Sequence, residues 1–230
     1  MDASPSPLQR DLVALLEAVR RAEHDLFSAL EETSGEEPVI EGLRARDVRA
    51  HLAAWRSIEA RRLLGTPADD DPLPGDELDE SNARIQAERA DWSAERAAAE
   101  ADASIDALIE AIGASANDAL CECDELAAGI GANGANHAIG HLSDIARLAG
   151  AEARYEQLAA EVEDILRGSH LMPRDSGVML YNLACHSGLT GRTDDAVRLL
   201  GTAFKRRPDL RAIAMDDPDL VSVRERLAPA

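Results

Sequence analysis

Aromatic residues make up only 3% of this 230-residue chain, and that scarcity narrows what it can fold into more than any motif does. A core short of Phe, Tyr and Trp has to be filled by Leu, Ile, Val and Ala. Such side chains pack well as helix on helix, where Ala lets backbones approach closely. Strand-rich folds draw on β-branched and aromatic residues instead. Hydrophobic residues still amount to 45% and charged residues to 30%, which suits a folded protein with a real core. The expected fold class is all-α.

The helices can be placed from apolar spacing and from their stops. Ser6-Pro7-Leu8-Gln9 reads as a helix start, with Ser6 as cap, Pro7 in the first turn and Gln9 completing a capping box. Leu12, Leu16, Val19, Leu26 and Leu30 carry a first amphipathic helix up to Ser34-Gly35. Val48, Leu52, Trp55 and Ile58 carry a second, from about Arg44 to Leu64. An acidic stretch broken by Pro72, Pro74 and Gly75 reads as a solvated loop. One long third helix is expected over roughly Glu80 to Ile112, with a poorly buried Ala/Glu/Asp middle. A Gly-rich connection, Gly129 to Gly134, leads to a fourth helix from about Asn136, packed through Ile139, Leu142, Ile145 and Leu148. After Gly150 come a fifth helix (Tyr155 to Leu166), a helix pair near 176–189 and 193–206, and short helical turns to the end. The expected domains are a four-helix bundle at 1–150 and a helical-hairpin module at 151–230.

The formal charge is −20, and the excess acid lies before residue 170. An acidic surface repels phosphate backbones and anionic lipid heads, so neither a nucleic-acid nor a membrane partner is expected. No stretch approaches the ~20 apolar residues of a membrane span. Three cysteines form no disulfide framework, and a cytoplasmic location is the expectation. Cys121-Glu122-Cys123 is spaced too tightly for a zinc knuckle or Cys-x-x-Cys motif, and its role stays open.

His137 and His141 are four apart on one helix, so both rings leave the same face, one turn before the inward-looking Ile145. His51 belongs to the inner side of the second helix. Three neutral imidazoles converging inside a bundle make a site for zinc or another borderline divalent ion, with positions left for water or substrate. Histidines in the core or on the surface without any ligand role are the plainer alternative.

Asp47-Val48-Arg49-Ala50-His51-Leu52-Ala53-Ala54-Trp55 resembles the second-helix signature of the DinB-like (DinB/YfiT-type) superfamily, and Asn136-His137-Ala138-Ile139-Gly140-His141-Leu142-Ser143-Asp144-Ile145 resembles its fourth. The stretch from Ser81-Asn82 to Trp92-Ser93-Ala94-Glu95 is similar to the third helix of the branch that includes colibactin self-resistance proteins. The resemblance covers residues 1 to about 150. It implies an up-down-down-up four-helix bundle, often a homodimer, with His51, His137 and His141 as ligands to a divalent ion, zinc or nickel. It also implies metal-dependent thiol S-transfer or hydrolysis of small electrophiles, with a low-molecular-weight thiol as cosubstrate. Asp144 then falls where many relatives carry Gln and would orient a ligand, and Trp55 would line the cavity. Arg44 stands where relatives carry a Ser or Thr cap, and Ala135 and Ala138 where the colibactin-related branch often has aromatics.

Leu180, Leu183, Ala184, Gly191, Ala196, Ala203 and Pro208 resemble one tetratricopeptide repeat at its spacing, and Asp217-Pro218-Asp219-Leu220 resembles the closing tail of such repeats. One repeat cannot build a peptide groove alone, which favours a structural cap or dimerisation arm. The function expected overall is a metal-binding protein acting on a small-molecule substrate. The rivals are a non-catalytic scaffold that docks a protein through residues 170–230, and a metal-free bundle that sequesters a hydrophobic small molecule.

Overall fold

The structure, a computed structural model, describes residues 4–33, 38–40, 43–72, 77–115, 120 and 124–227. Cys121 and Cys123 lie outside the described residues. The fold is helix-rich throughout, with one short antiparallel ribbon of β1 (Pro38–Ile40) and β2 (Leu43–Arg44).

Helix α1 (Pro7–Thr33) opens with the reciprocal cap its sequence suggests: Gln9 N–H donates to Ser6 Oγ, and Ser6 N–H to Gln9 Oε1. The Gln9 amide also donates to the Ile112 carbonyl at 2.7 Å, tying this end to the far end of α4 (Ala94–Ala114). Helix α2 (Ala45–Leu63) packs most extensively on α4. The Asp47 carboxylate takes the N–H of Arg44 and its guanidinium, so the absent Ser/Thr cap is replaced by a carboxylate reaching back from the first turn.

The single long third helix expected over 80–112 is two helices, α3 (Leu78–Glu88) and α4. The break has a local cause. Ser93 Oγ accepts the Arg96 N–H and starts a new helix, while Trp92 lies against the guanidinium groups of Arg89 and Arg96. The Ala-rich start of α4 is poorly buried, as its composition suggests: between Ala94 and Ala103 only Ala97 and Ala101 are buried.

A second correction falls on Gly129–Gly134. This stretch is helical, not a connection: α5 (Asp124–Gly129) runs through a π-helical segment (Ile130–Asn136) into α6 (His137–Leu148). The His137 N–H reaches back five residues to the Ala132 carbonyl. Glycine is needed where helices touch: a Cβ at Gly134 would stand 3.0 Å from Leu108 and 3.1 Å from Leu16. Leu148, expected on the packing face, is 48% exposed, because it lies at the end of α6.

Gly150, at φ 60°, turns the chain into α7 (Glu152–Arg167). Helices α8 (Pro173–Leu189) and α9 (Thr193–Arg206) form a hairpin about Gly191, at φ 77°. Helix α10 (Leu210–Asp216), a 3₁₀ turn (Pro218–Val223) and α11 (Arg224–Leu227) close the described chain. Helix α7 packs on α1, and α8 on α6. A single apolar cluster accordingly runs from Leu12 to Leu227 through both sides of Gly150, with Tyr155 fully buried and its hydroxyl donating to the Ile139 carbonyl. No helix among the described residues is long and apolar enough to cross a membrane.

Candidate metal centre

Helix α2 carries His51 and α6 carries His137 and His141, and the packing of these helices brings the three rings together. His137 Nε2 stands 3.1 Å from His51 Nε2 and 3.0 Å from His141 Nε2. The three candidate ligand atoms all lie within 4.8 Å of one another. The His51 ring stands edge-on to the other two, at 88° and 90°.

These nitrogens cannot satisfy one another. A neutral imidazole nitrogen carries either one N–H or one lone pair in the ring plane. His137 Nε2 faces two partners, so only one of its two close contacts can be a hydrogen bond. Its other nitrogen, Nδ1, is buried without a hydrogen-bond partner among the described residues, so nothing on that side fixes the tautomer. Protonation is no remedy. Burial first, then the charges of His141 and Arg89, push the His51 pKa down to about 4. Burial, then His141, His51 and Arg56, push His137 down to about 3. Both rings are neutral at pH 7, the form that ligates metals. Nitrogens 3.0–3.1 Å apart fit around an ion that holds each at roughly 2.0–2.1 Å, with an angle of roughly 95° between them. The donor set suits a divalent ion.

An open cleft of about 540 Å³ borders the triad. His137, His141 and Asp144 line it, whereas His51 does not. Asp144 pairs with Arg147 at 3.1 Å. Trp55 also lines the cleft, and its indole N–H donates to Asn82 Oδ1 at 3.1 Å, which turns the Asn82 amide N–H groups away from the indole. Asn133, Asn136 and Asn182 add further carboxamides to the lining. Asn182 of α8 and Asp219 of the 3₁₀ turn come from beyond residue 150, so the C-terminal hairpin supplies part of the wall.

A second group with metal-ligand geometry is Cys185, Asp217 and Asp219. Asp217 is its hub. Asp217 accepts the Tyr181 hydroxyl at 2.6 Å, the Cys185 thiol at 3.8 Å and the Asp219 N–H at 2.9 Å. Burial, and the charges of Asp217 and Asp219, push the Cys185 thiol well up and keep it protonated, an inert state. This group fastens the 3₁₀ turn to α8.

The remaining histidines are engaged elsewhere. His24 pairs with Asp102 and His170 with Asp11. His186 is buried, stacked on Tyr155 at 3.9 Å between centroids and bonded to Ser143 at 2.9 Å. Its partners lie 31 and 43 residues away, so no local pattern announces it. Sequence reasoning also misses the buried charges of Arg56, Glu23 and Glu59, of which Arg56 acts on His137. Comparison with models of known protein families, with curated proteins and with solved structures finds no match to this chain.

Proposed function

We propose that this chain is a divalent-metal-binding protein of the DinB-like kind, with zinc or nickel held by His51, His137 and His141, acting as a thiol S-transferase or hydrolase on small electrophiles. The observation that carries the reading is the contact of His137 Nε2 with two other Nε2 atoms at 3.0 and 3.1 Å, since that arrangement cannot be satisfied by hydrogen bonds alone. A bound ion would supply Lewis acidity, making a water or a low-molecular-weight thiol nucleophilic near neutral pH.

The chain's own residues would do the rest. The cleft beside His137 and His141 is a place for a small substrate, and its carboxamides from Asn82, Asn133, Asn136 and Asn182 offer hydrogen bonds that orient a polar one. Trp55 would provide an apolar wall, and Asp144, three residues past His141 on the cleft wall, would orient a ligand or accept a proton through water. A cytoplasmic homodimer belongs to the same proposal. The test is turnover of an electrophile panel by zinc- or nickel-loaded protein with and without added thiol. Turnover that needs the metal and disappears in His137→Ala is expected, and an equal rate with the apo protein overturns the enzymatic reading.

The rival, an adaptor docking through residues 170–230, draws support from Ile213 and Val221, which stand exposed on the C-terminal turns. Capture of a defined partner that survives His137→Ala and is lost in Ile213→Asp/Val221→Asp would favour it.

A further inference from the structure

Buried charged side chains tie α2, which carries His51, to α1 and to the π-helical segment that leads into α6. Arg56, five residues past His51 on α2, is 0% exposed. Its Nη1–H donates to Glu23 Oε2 at 3.1 Å, and its Nη2 also meets the Glu23 carboxylate, in a bidentate pair with α1. The third nitrogen, Nε, donates its hydrogen to the carbonyl of Gly134 at 3.2 Å, inside the π-helical segment. One turn on, buried Glu59 accepts the Asn133 amide at 2.7 Å, from the same segment, and pairs with Arg62. The glycines let α2 come this close: a Cβ at Gly129 would stand 2.5 Å from the Glu59 carboxylate.

The π-helical segment ends at Asn136, and His137 follows directly. A π register adds residues to a turn, so it sets the rotation of everything after it about the helix axis. Rotation of α6 decides whether His137 and His141 face α2 or pass beside it. Buried ion pairs are weak sources of stability but good fixers of geometry when each donor is used. Each of the three Arg56 nitrogens here donates to a partner on α1 or on the π-helical segment.

We infer that Arg56, held by Glu23, is a positioning residue for the metal centre: its bond to Gly134 fixes the π-helical segment and through it the direction of His137 and His141 toward His51. The inference rests on the metal-binding reading above and adds to it a group that touches neither metal nor substrate.

The test uses the full chain with Arg56→Met/Glu23→Met, which replaces the ion pair by apolar side chains and leaves no unpaired charge. Thermal unfolding of the metal-free protein, zinc affinity and the visible spectrum of the Co(II) form are compared with wild type. The expected result is a retained unfolding midpoint, zinc affinity down at least about tenfold, and altered Co(II) bands from a changed ligand arrangement. Arg56→Lys serves if the double variant fails to fold. Its compact ammonium can pair with Glu23 but cannot also span to Gly134 as the guanidinium fork does, and the same loss is expected. Wild-type affinity and spectrum in the folded variant overturn the clamp alone. A wild-type chain that takes up no zinc under replete conditions overturns the metal reading and the clamp together.

Discussion

A buried imidazole held neutral at pH 7 destabilises its fold only when the solution turns acidic. His186 is 1% exposed, and burial, then the charges of Arg192 and Arg147, lower its pKa from 6.5 to about 4. Between these values the unfolded chain binds the proton and the folded one does not. The stability His186 contributes is therefore fully present above pH 6.5 and lost as pH falls through that window toward 4. The slope from this one group is at most about 1.4 kcal/mol per pH unit. In urea unfolding of the metal-free protein, His186→Phe, which keeps the stacking on Tyr155, is expected to lose less stability between pH 7 and pH 4.5 than wild type. Equal losses would assign the acid sensitivity elsewhere. At this scale the sequence is legible in part. The His137/His141 pair is readable because spacing on a helix is local. The roles of Arg56 and Glu59 are not readable, since a charged residue in a helix reads as solvated until its partner, 33 or 74 residues away, is known.

The elements show the same division. Helices α1 and α2 follow from apolar periodicity, and the break between α3 and α4 follows only when Ser93 is read as a cap. The π-helical segment is hidden by its own composition, because Gly-rich stretches usually mark connections. Here the glycines mark close packing instead. Gly134→Ala is expected to lower stability by about 1–3 kcal/mol through overpacking against Leu108 and Leu16. Gly113 on α4 is exposed, with nothing within 4 Å of the position of a Cβ. Gly113→Ala is expected to raise stability by about 0.5–1 kcal/mol, the ordinary cost of a helical glycine. Urea denaturation of both variants checks the pair, and a neutral Gly134→Ala would mean that the helices can separate there.

Across the whole molecule, the larger apolar cluster among the described residues joins the bundle to the hairpin. Leu158 and Val162 of α7 lie in the same core as α1, and Asn182 and Asp219 reach the cleft beside the triad. The turn at Gly150 is legible from its glycine, but the core shared across it is not, since periodicity shows that a face is apolar without saying what covers it. A fragment of residues 1–150 is expected to bind a hydrophobic dye strongly and to unfold without a sharp thermal transition. A cooperative transition like that of the full chain would instead show a self-sufficient first domain. The central claim is that His51, 86 residues from His137, shares one ion with His137 and His141. X-ray absorption at the zinc edge of the loaded full chain tests it most directly. The expected spectrum has imidazole scattering from three histidines with nitrogen at roughly 2.0–2.1 Å, falling to two in His51→Ala. Sulfur neighbours, imidazole scattering unchanged in that variant, or a wild-type protein that takes up no zinc would contradict the account.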